Sequence, residues 1–96
     1  MTIKQSNEDE KRVKIFKALA DVKRIEIVRF LYRAKAMHTC GHIGNTHGLN
    51  KSNTTYHLKI LHDAELIDII RDGQFKLIQL REETFQAFLP GYLDTL

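Results

Sequence analysis

GLNKSNTTYHLKILHDAELIDIIRDGQFKLIQL, residues 48–80, changes its hydrophobic period halfway along. Advancing about 100° per residue from Lys51, the side chains of Thr54, Leu58 and Leu61 gather on one side, and Ile60 and Ala64 widen that arc. This is the repeat of an amphipathic helix running to about Ala64, and Asn50 or Ser52 can cap its start. Beyond it the period falls to two. Residues 66–71 and 74–80 are rich in β-forming side chains and flank Asp72-Gly73, a strong two-residue hairpin signal. A helix that runs directly into a β-hairpin is half of a winged helix.

The other half lies upstream. Thr39 can cap a short helix over residues 40–46, and His47-Gly48-Leu49-Asn50 reads as a tight turn in which Gly48 is free to take positive φ. Two short helices joined by a glycine-containing turn make a helix-turn-helix. Before them, Asp21 is a good N-cap for a helix to about Ala34. Its inward side chains are expected to be Val22, Ile25, Val28, Leu31 and Tyr32, with Lys23, Arg24, Glu26, Arg29 and Arg33 on the wet side. A first helix is expected over residues 7–20, with Asn7 and Glu10 forming a capping box and residues 1–8 frayed. After the hairpin, residues 82–88 are helical, Pro90-Gly91 interrupts, and residues 92–96 add a turn. The expected architecture is mainly α with a small β-hairpin, in the order α-α-α-α-β-β-α, as a single winged helix-turn-helix domain over residues 1–96.

Size and composition narrow the field. With 96 residues there is room for one small domain. Folding at that length buries only about 60–65% of the unfolded surface, so a lone monomer is marginal. A content of 43% hydrophobic and 28% charged residues fits a globular chain rather than a disordered one. No apolar run approaches the ~20 residues of a membrane helix, and the polar start MTIKQSNEDEKR is no secretory signal, so no membrane partner is expected. The single cysteine, Cys40, excludes a disulfide framework and fits a reducing cytoplasm. A net charge of +3 permits an anionic partner. Where the charges lie decides.

Opposite the core arc of the 51–64 helix lie Ser52, Tyr56, Lys59 and Asp63, with Lys51, Asn53 and Thr55 on the flanks. These are the groups a major-groove reader needs. Asn53 can bond the N6/N7 edge of adenine, Ser52 and Thr55 reach base edges or phosphate, and a threonine methyl can touch thymine. Lys51 and Lys59 are placed for phosphates, as are the unpaired amides of the helix start. At the hairpin tip, Arg71, Gln74 and Lys76 can lie along a neighbouring phosphate strand, while Asp72 serves the turn. The expected partner is double-stranded DNA.

The stretch FKALADVKRIEIVRFL, residues 16–31, resembles the second-helix signature of the ArsR/SmtB winged-helix repressors, Leu-Ala-Asp-x-x-Arg followed by aliphatics. GLNKSNTTYHLKILHDAELI, residues 48–67, is similar to their recognition segment. The resemblance implies a homodimeric, operator-binding repressor whose first and last helices pair, with Lys51, Ser52, Asn53, Thr55 and Tyr56 facing DNA and His57 packing beneath. For that pairing the chain offers Ile3, Val13 and Phe16 at one end, and Phe85, Phe88, Leu89, Tyr92, Leu93 and Leu96 at the other. Six large apolar side chains in the last twelve residues are hard to bury in so small a monomer.

Three positions depart from the family pattern. Thr54 stands at a usual valine, where its hydroxyl can bond the carbonyl of Asn50. Glu65 stands at a usual glycine, where a left-handed conformation costs about 1 kcal/mol or more. Tyr56 replaces a commoner small residue or histidine.

Five histidines and Cys40 raise a metal- or redox-responsive sensor as an alternative, with His38, Cys40 and His42 as the candidate ligands. In metal-sensing members cysteines stand where this chain has Thr39 and Gly41, and no histidine follows Glu83 to complete the other common site. No metal or other cofactor is therefore expected, and no residue pattern identifies a small-molecule or metal effector. An enzyme is not expected either. Cys40 with His38 or His42 is the sole nucleophile–base pairing, and it lacks a third orienting group. A winged helix that binds protein is a further alternative, but it calls for an apolar reading face, and Ser52, Asn53, Thr55 and Lys59 speak against that.

Overall fold

Asp21 ends one helix and starts the next. The computed structural model describes the backbone of residues 3–96 and the side chains from Asn7 onward. Helix α1 spans Ile3–Leu19 and α2 spans Val22–Ala34. Between them Asp21 is extended, and its carboxylate accepts a hydrogen bond from the Arg24 amide at 3.1 Å. That bond satisfies an otherwise unpaired donor and sets a negative charge at the positive end of the α2 dipole.

Helix α1 begins before the expected cap, so Asn7 lies inside it and the stretch expected to fray is helical from Ile3. Within it Arg12 pairs with Asp9 at 2.8 Å and Glu8 at 3.7 Å one turn back, which supports the helix there. The side chain of Ile3, expected to join the pairing surface, lies outside the described residues.

Helix α2 buries Val28 and Leu31 as expected, but Ile27 and Arg24 complete the inward stripe where Val22 was expected. Ile27, Val28 and Leu31 are buried, Arg24 is only 9% exposed, and Val22 is 71% exposed. The buried set 24, 27, 28 and 31 follows the i, i+3, i+4, i+7 rule, with a cation at its head.

Next come β1 (His38–Thr39), α3 (Cys40–Thr46), α4 (Lys51–Asp63), β2 (Ile67–Asp72), β3 (Phe75–Leu80), α5 (Glu82–Phe88) and a 3-10 turn (Leu93–Thr95). The sheet is antiparallel, in the order β1-β3-β2. Strand β1 is an addition to the expected pattern. It pairs His38 with Ile78 and Thr39 with Leu77, and it forms because β3 offers a free edge. In the hairpin Asp72 pairs with Phe75, so the turn is Gly73-Gln74 and not Asp72-Gly73. Gly73 has φ 62 and Gln74 does not take positive φ, which is the glycine requirement of a type II′ turn.

One core joins the elements: Ile15 of α1, Ile27 of α2, Ile43 of α3, Leu61 of α4, Ile78 of β3 and Phe85 of α5 are all buried. The tail closes it. Gly91, at φ 86, reverses the chain, and Phe85 stacks on Tyr92 with ring centroids 6.1 Å apart. Tyr32 Oη donates to Asp94 at 2.5 Å and Arg33 Nη2 donates to the Leu96 carbonyl at 2.7 Å, binding the tail to α2. Phe85 and Leu93 are consequently 1% and 2% exposed. They belong to the monomer's own core, which removes them from the expected pairing surface. Phe88, Leu89, Tyr92 and Leu96 remain half-buried, while Val13 and Phe16 on α1 are 49% and 58% exposed. No described helix is long and apolar enough to cross a membrane.

Candidate nucleic-acid interface

Helix α4 starts at a cap and is held from below. The Asn50 side chain accepts from the Asn53 amide at 2.7 Å, which leaves the other amides of the first turn free for an external acceptor. Thr54, Leu58 and Leu61 are buried. The Thr54 hydroxyl donates to the Asn50 carbonyl at 2.8 Å, as its departure from the family pattern led one to expect. Above it α3 comes very close, because Gly44 has no side chain. A Cβ there would stand 2.5 Å from Thr54 Oγ1 and 3.4 Å from the Leu49 carbonyl. Sequence reasoning passed over Gly44, since the need for glycine arises only when the two helices are brought together.

The outer face carries the expected residues. Lys51, Ser52, Asn53, Thr55, Tyr56 and Lys59 are all exposed. Lys59 pairs with Asp63 at 3.1 Å, an exposed i, i+4 pair worth about 0.3–0.5 kcal/mol, which a phosphate can displace. On the wing, Arg71, Gln74 and Lys76 are exposed too. Arg71 and Lys76 are direct cross-strand partners, and neither has an ion-pair partner among the described residues. Like charges facing across a hairpin destabilise it.

Beneath the reading face, Arg24 acts as a brace. Its Nε donates to the Ala18 carbonyl at 2.7 Å and its Nη2 to the Lys17 carbonyl at 3.3 Å. Its Nη1 lies 3.1 Å from His57 Nδ1. A guanidinium only donates, so His57 is the acceptor there, and Asp21 lies 3.9 Å from the same nitrogen. One side chain thereby ties the end of α1, the start of α2 and the underside of α4. His57 packs beneath as expected; Arg24, placed on the wet side by helical projection, does not. The signal that could have found it was the Leu-Ala-Asp-x-x-Arg motif, in which Arg24 is the last element.

Just past the α4 C-cap at Ala64, Glu65 takes φ 61, the strained conformation expected where glycine is usual. The Leu66 amide bonds the Leu61 carbonyl at 3.0 Å, and the Thr84 hydroxyl donates to the Glu65 carbonyl at 2.7 Å. Those bonds hold the chain in place as it enters the wing.

The candidate metal ligands have other contacts. His38 and His42 stack on each other at 5.0 Å, and both lie against Phe30, at 4.8 and 5.9 Å. His47 meets the same ring edge-on at 5.5 Å. Cys40 is a half-buried free thiol. Among the described residues no group of three or more His, Cys, Asp or Glu side chains is placed to hold a metal ion.

Comparison with known proteins bears on this surface. The model of the arsR family of bacterial regulatory proteins matches residues 21–68, from the α2 cap into β2. The uncharacterized HTH-type transcriptional regulator YceK of Bacillus subtilis is 44% identical over 96 residues, covering all of this chain and 95% of that protein. The arsenical resistance operon repressor of Bacillus subtilis is 36% identical over 78 residues, or 81% of this chain and 73% of that protein. Among solved structures, the homodimeric winged helix-turn-helix DNA-binding domain of a possible ArsR-family transcriptional regulator from Mycobacterium bovis shares the fold. Its TM-score is 0.79 at 19% identity, over 92% of this chain and 81% of that one.

Proposed function

The chain belongs to the arsR family of bacterial regulatory proteins, and on that premise we propose that it represses transcription as a homodimer on a palindromic operator. Membership makes it a DNA-binding transcriptional regulator and not an enzyme. The observation that carries the finer reading is the Arg71–Lys76 pair, two cations facing each other on the wing beside an exposed polar α4. A phosphate strand along the hairpin relieves their repulsion. Lys51, Lys59 and the start of α4 then take further phosphates, Gln74 adds a polar contact at the wing, and Ser52, Asn53, Thr55 and Tyr56 face base edges.

For pairing, α1 and α5 form one surface. Arg12 lies 5.6 Å from the Phe88 ring, joining exposed Val13 and Phe16 to half-buried Phe88, Leu89 and Tyr92. A two-fold axis through that surface sets two α4 helices about 34 Å apart, one turn of duplex. Repression is the reading supported by likeness to an operon repressor, and the cytoplasm is where such an operator lies.

Selection from a random-sequence duplex pool is the test. The expected product is a palindrome whose half-sites lie about 10 base pairs apart. Asn53→Ala and Tyr56→Ala are expected to lose about 1–3 kcal/mol of discrimination at particular positions, while Lys59→Ala weakens all sequences alike. A pool with no enriched sequence, or a monomer at micromolar concentration by sedimentation, would overturn the proposal.

A further inference from the structure

An open cleft of about 490 Å³ separates the reading helix from the wing, within the roughly 300–1,000 Å³ range of small-molecule sites. Three features give its character. It is lined by apolar surface, including Leu49 before α4 and Phe75 on β3, and the Phe75 side chain is 55% exposed. Gly41 and Gly44 of α3 line it, and at Gly41 the space is open, since a Cβ there would meet nothing within 4 Å. Lys51 from α4 and Lys76 from β3 line it from opposite elements; neither has an ion-pair partner among the described residues, and no carboxylate lines the cleft.

We propose that this cleft binds a small organic anion with an apolar ring, an aromatic monocarboxylate, and that such a ligand displaces DNA. The ring lies against Phe75 and Leu49, and the carboxylate takes the charge of Lys51 and Lys76. A free inorganic anion or a backbone phosphate satisfies the lysines but leaves the apolar surface wet. The ligand therefore needs both parts. Displacement rests on the DNA reading above, because Lys51 and Lys76 are the same cations that reading gives to phosphates. Bound carboxylate and bound duplex exclude each other.

The test titrates 15N-labelled protein, without DNA, with 2-naphthoate, its neutral amide 2-naphthamide, or inorganic phosphate. Expected are saturable amide shifts from naphthoate at Gly41, Gly44, Asn45 and Phe75, with affinity for the amide about tenfold lower and no saturable shifts from phosphate. Gly41→Leu, which fills the cleft, and Phe75→Ala, which removes the ring, each weaken naphthoate about tenfold. Neither residue is assigned to DNA, so both variants keep duplex affinity within about twofold. In a second arm, naphthoate lowers the anisotropy of a labelled duplex with the unaltered protein but not with Gly41→Leu. Shifts that fall elsewhere, equal binding of naphthamide, or saturable phosphate binding would overturn the site. Cleft shifts with no duplex binding at all would sink the DNA reading while the ligand site stands. Cleft binding with unchanged duplex affinity would overturn displacement.

Discussion

Beneath α4, Arg24 is almost wholly enclosed and each arm of its guanidinium meets an acceptor; on the wing, Arg71 faces Lys76, and among the described residues no carboxylate pairs with either. Arg24 touches the reading helix through His57, and Arg71 stands on the wing that follows that helix. One has its donors taken up by two carbonyls of the chain and the His57 ring, which ties three helices together. The other adds a repulsion that the fold alone leaves unanswered. Side-chain type does not separate the two roles. What each guanidinium faces does.

The strongest way to break the comparison is to remove the brace. Arg24→Ala leaves the Ala18 carbonyl and His57 without their donor and the Lys17 carbonyl with the Ala20 amide alone, and is expected to cost about 2–4 kcal/mol in urea unfolding. Arg24→Lys recovers only part of this, since an ammonium lacks the planar fork. Gly44→Ala comes next. It forces a methyl into the Thr54 hydroxyl and is expected to cost about 1–3 kcal/mol, with part of that loss recovered when combined with Thr54→Ala in a double-mutant cycle.

Lys76→Ala is expected to act in the opposite sense on the fold. Relief of the facing charges leaves stability unchanged or raises it by about 0.2–0.5 kcal/mol, while the salt dependence of duplex binding falls by roughly one unit of slope. A clear loss of stability in that variant would place Lys76 with Arg24 as a structural cation. The smallest effect concerns the tail. The hydrogen bond to Asp94 pushes the Tyr32 phenol up from its ordinary range. Its contribution is therefore full at neutral pH and is lost as the pH climbs through the raised value. Tyr32→Phe should flatten that alkaline fall in melting temperature.

The helix-turn-helix and the hairpin were legible because each rests on local signals: a 3.6-residue period in 51–64, a period of two after Ala64, and capping residues at Asp21, Thr39 and Asn50. The exposed reading residues followed from the same projection. What escaped depends on contacts between segments far apart in the chain. Arg24 is charged and lay on the wet side until carbonyls from α1 and a histidine from α4 closed over it. Strand β1 is too short to show a period and depends on the edge of β3. Phe85 and Leu93 read as spare hydrophobics because the reversal at Gly91 that carries the tail onto α2 is tertiary. Two-residue turns are also easily misplaced by one position, as Gly73-Gln74 shows.

Strand β1 has a mechanical consequence. At one side its backbone pairs with β3, and at its end the Thr39 hydroxyl accepts from the His42 amide to begin α3, which sits against α4 through Gly44. Wing and reading helix are thus joined through one continuous run of contacts. Any change in the gap between wing and reading helix must therefore break the short β1–β3 pairing or disturb the close approach at Gly44.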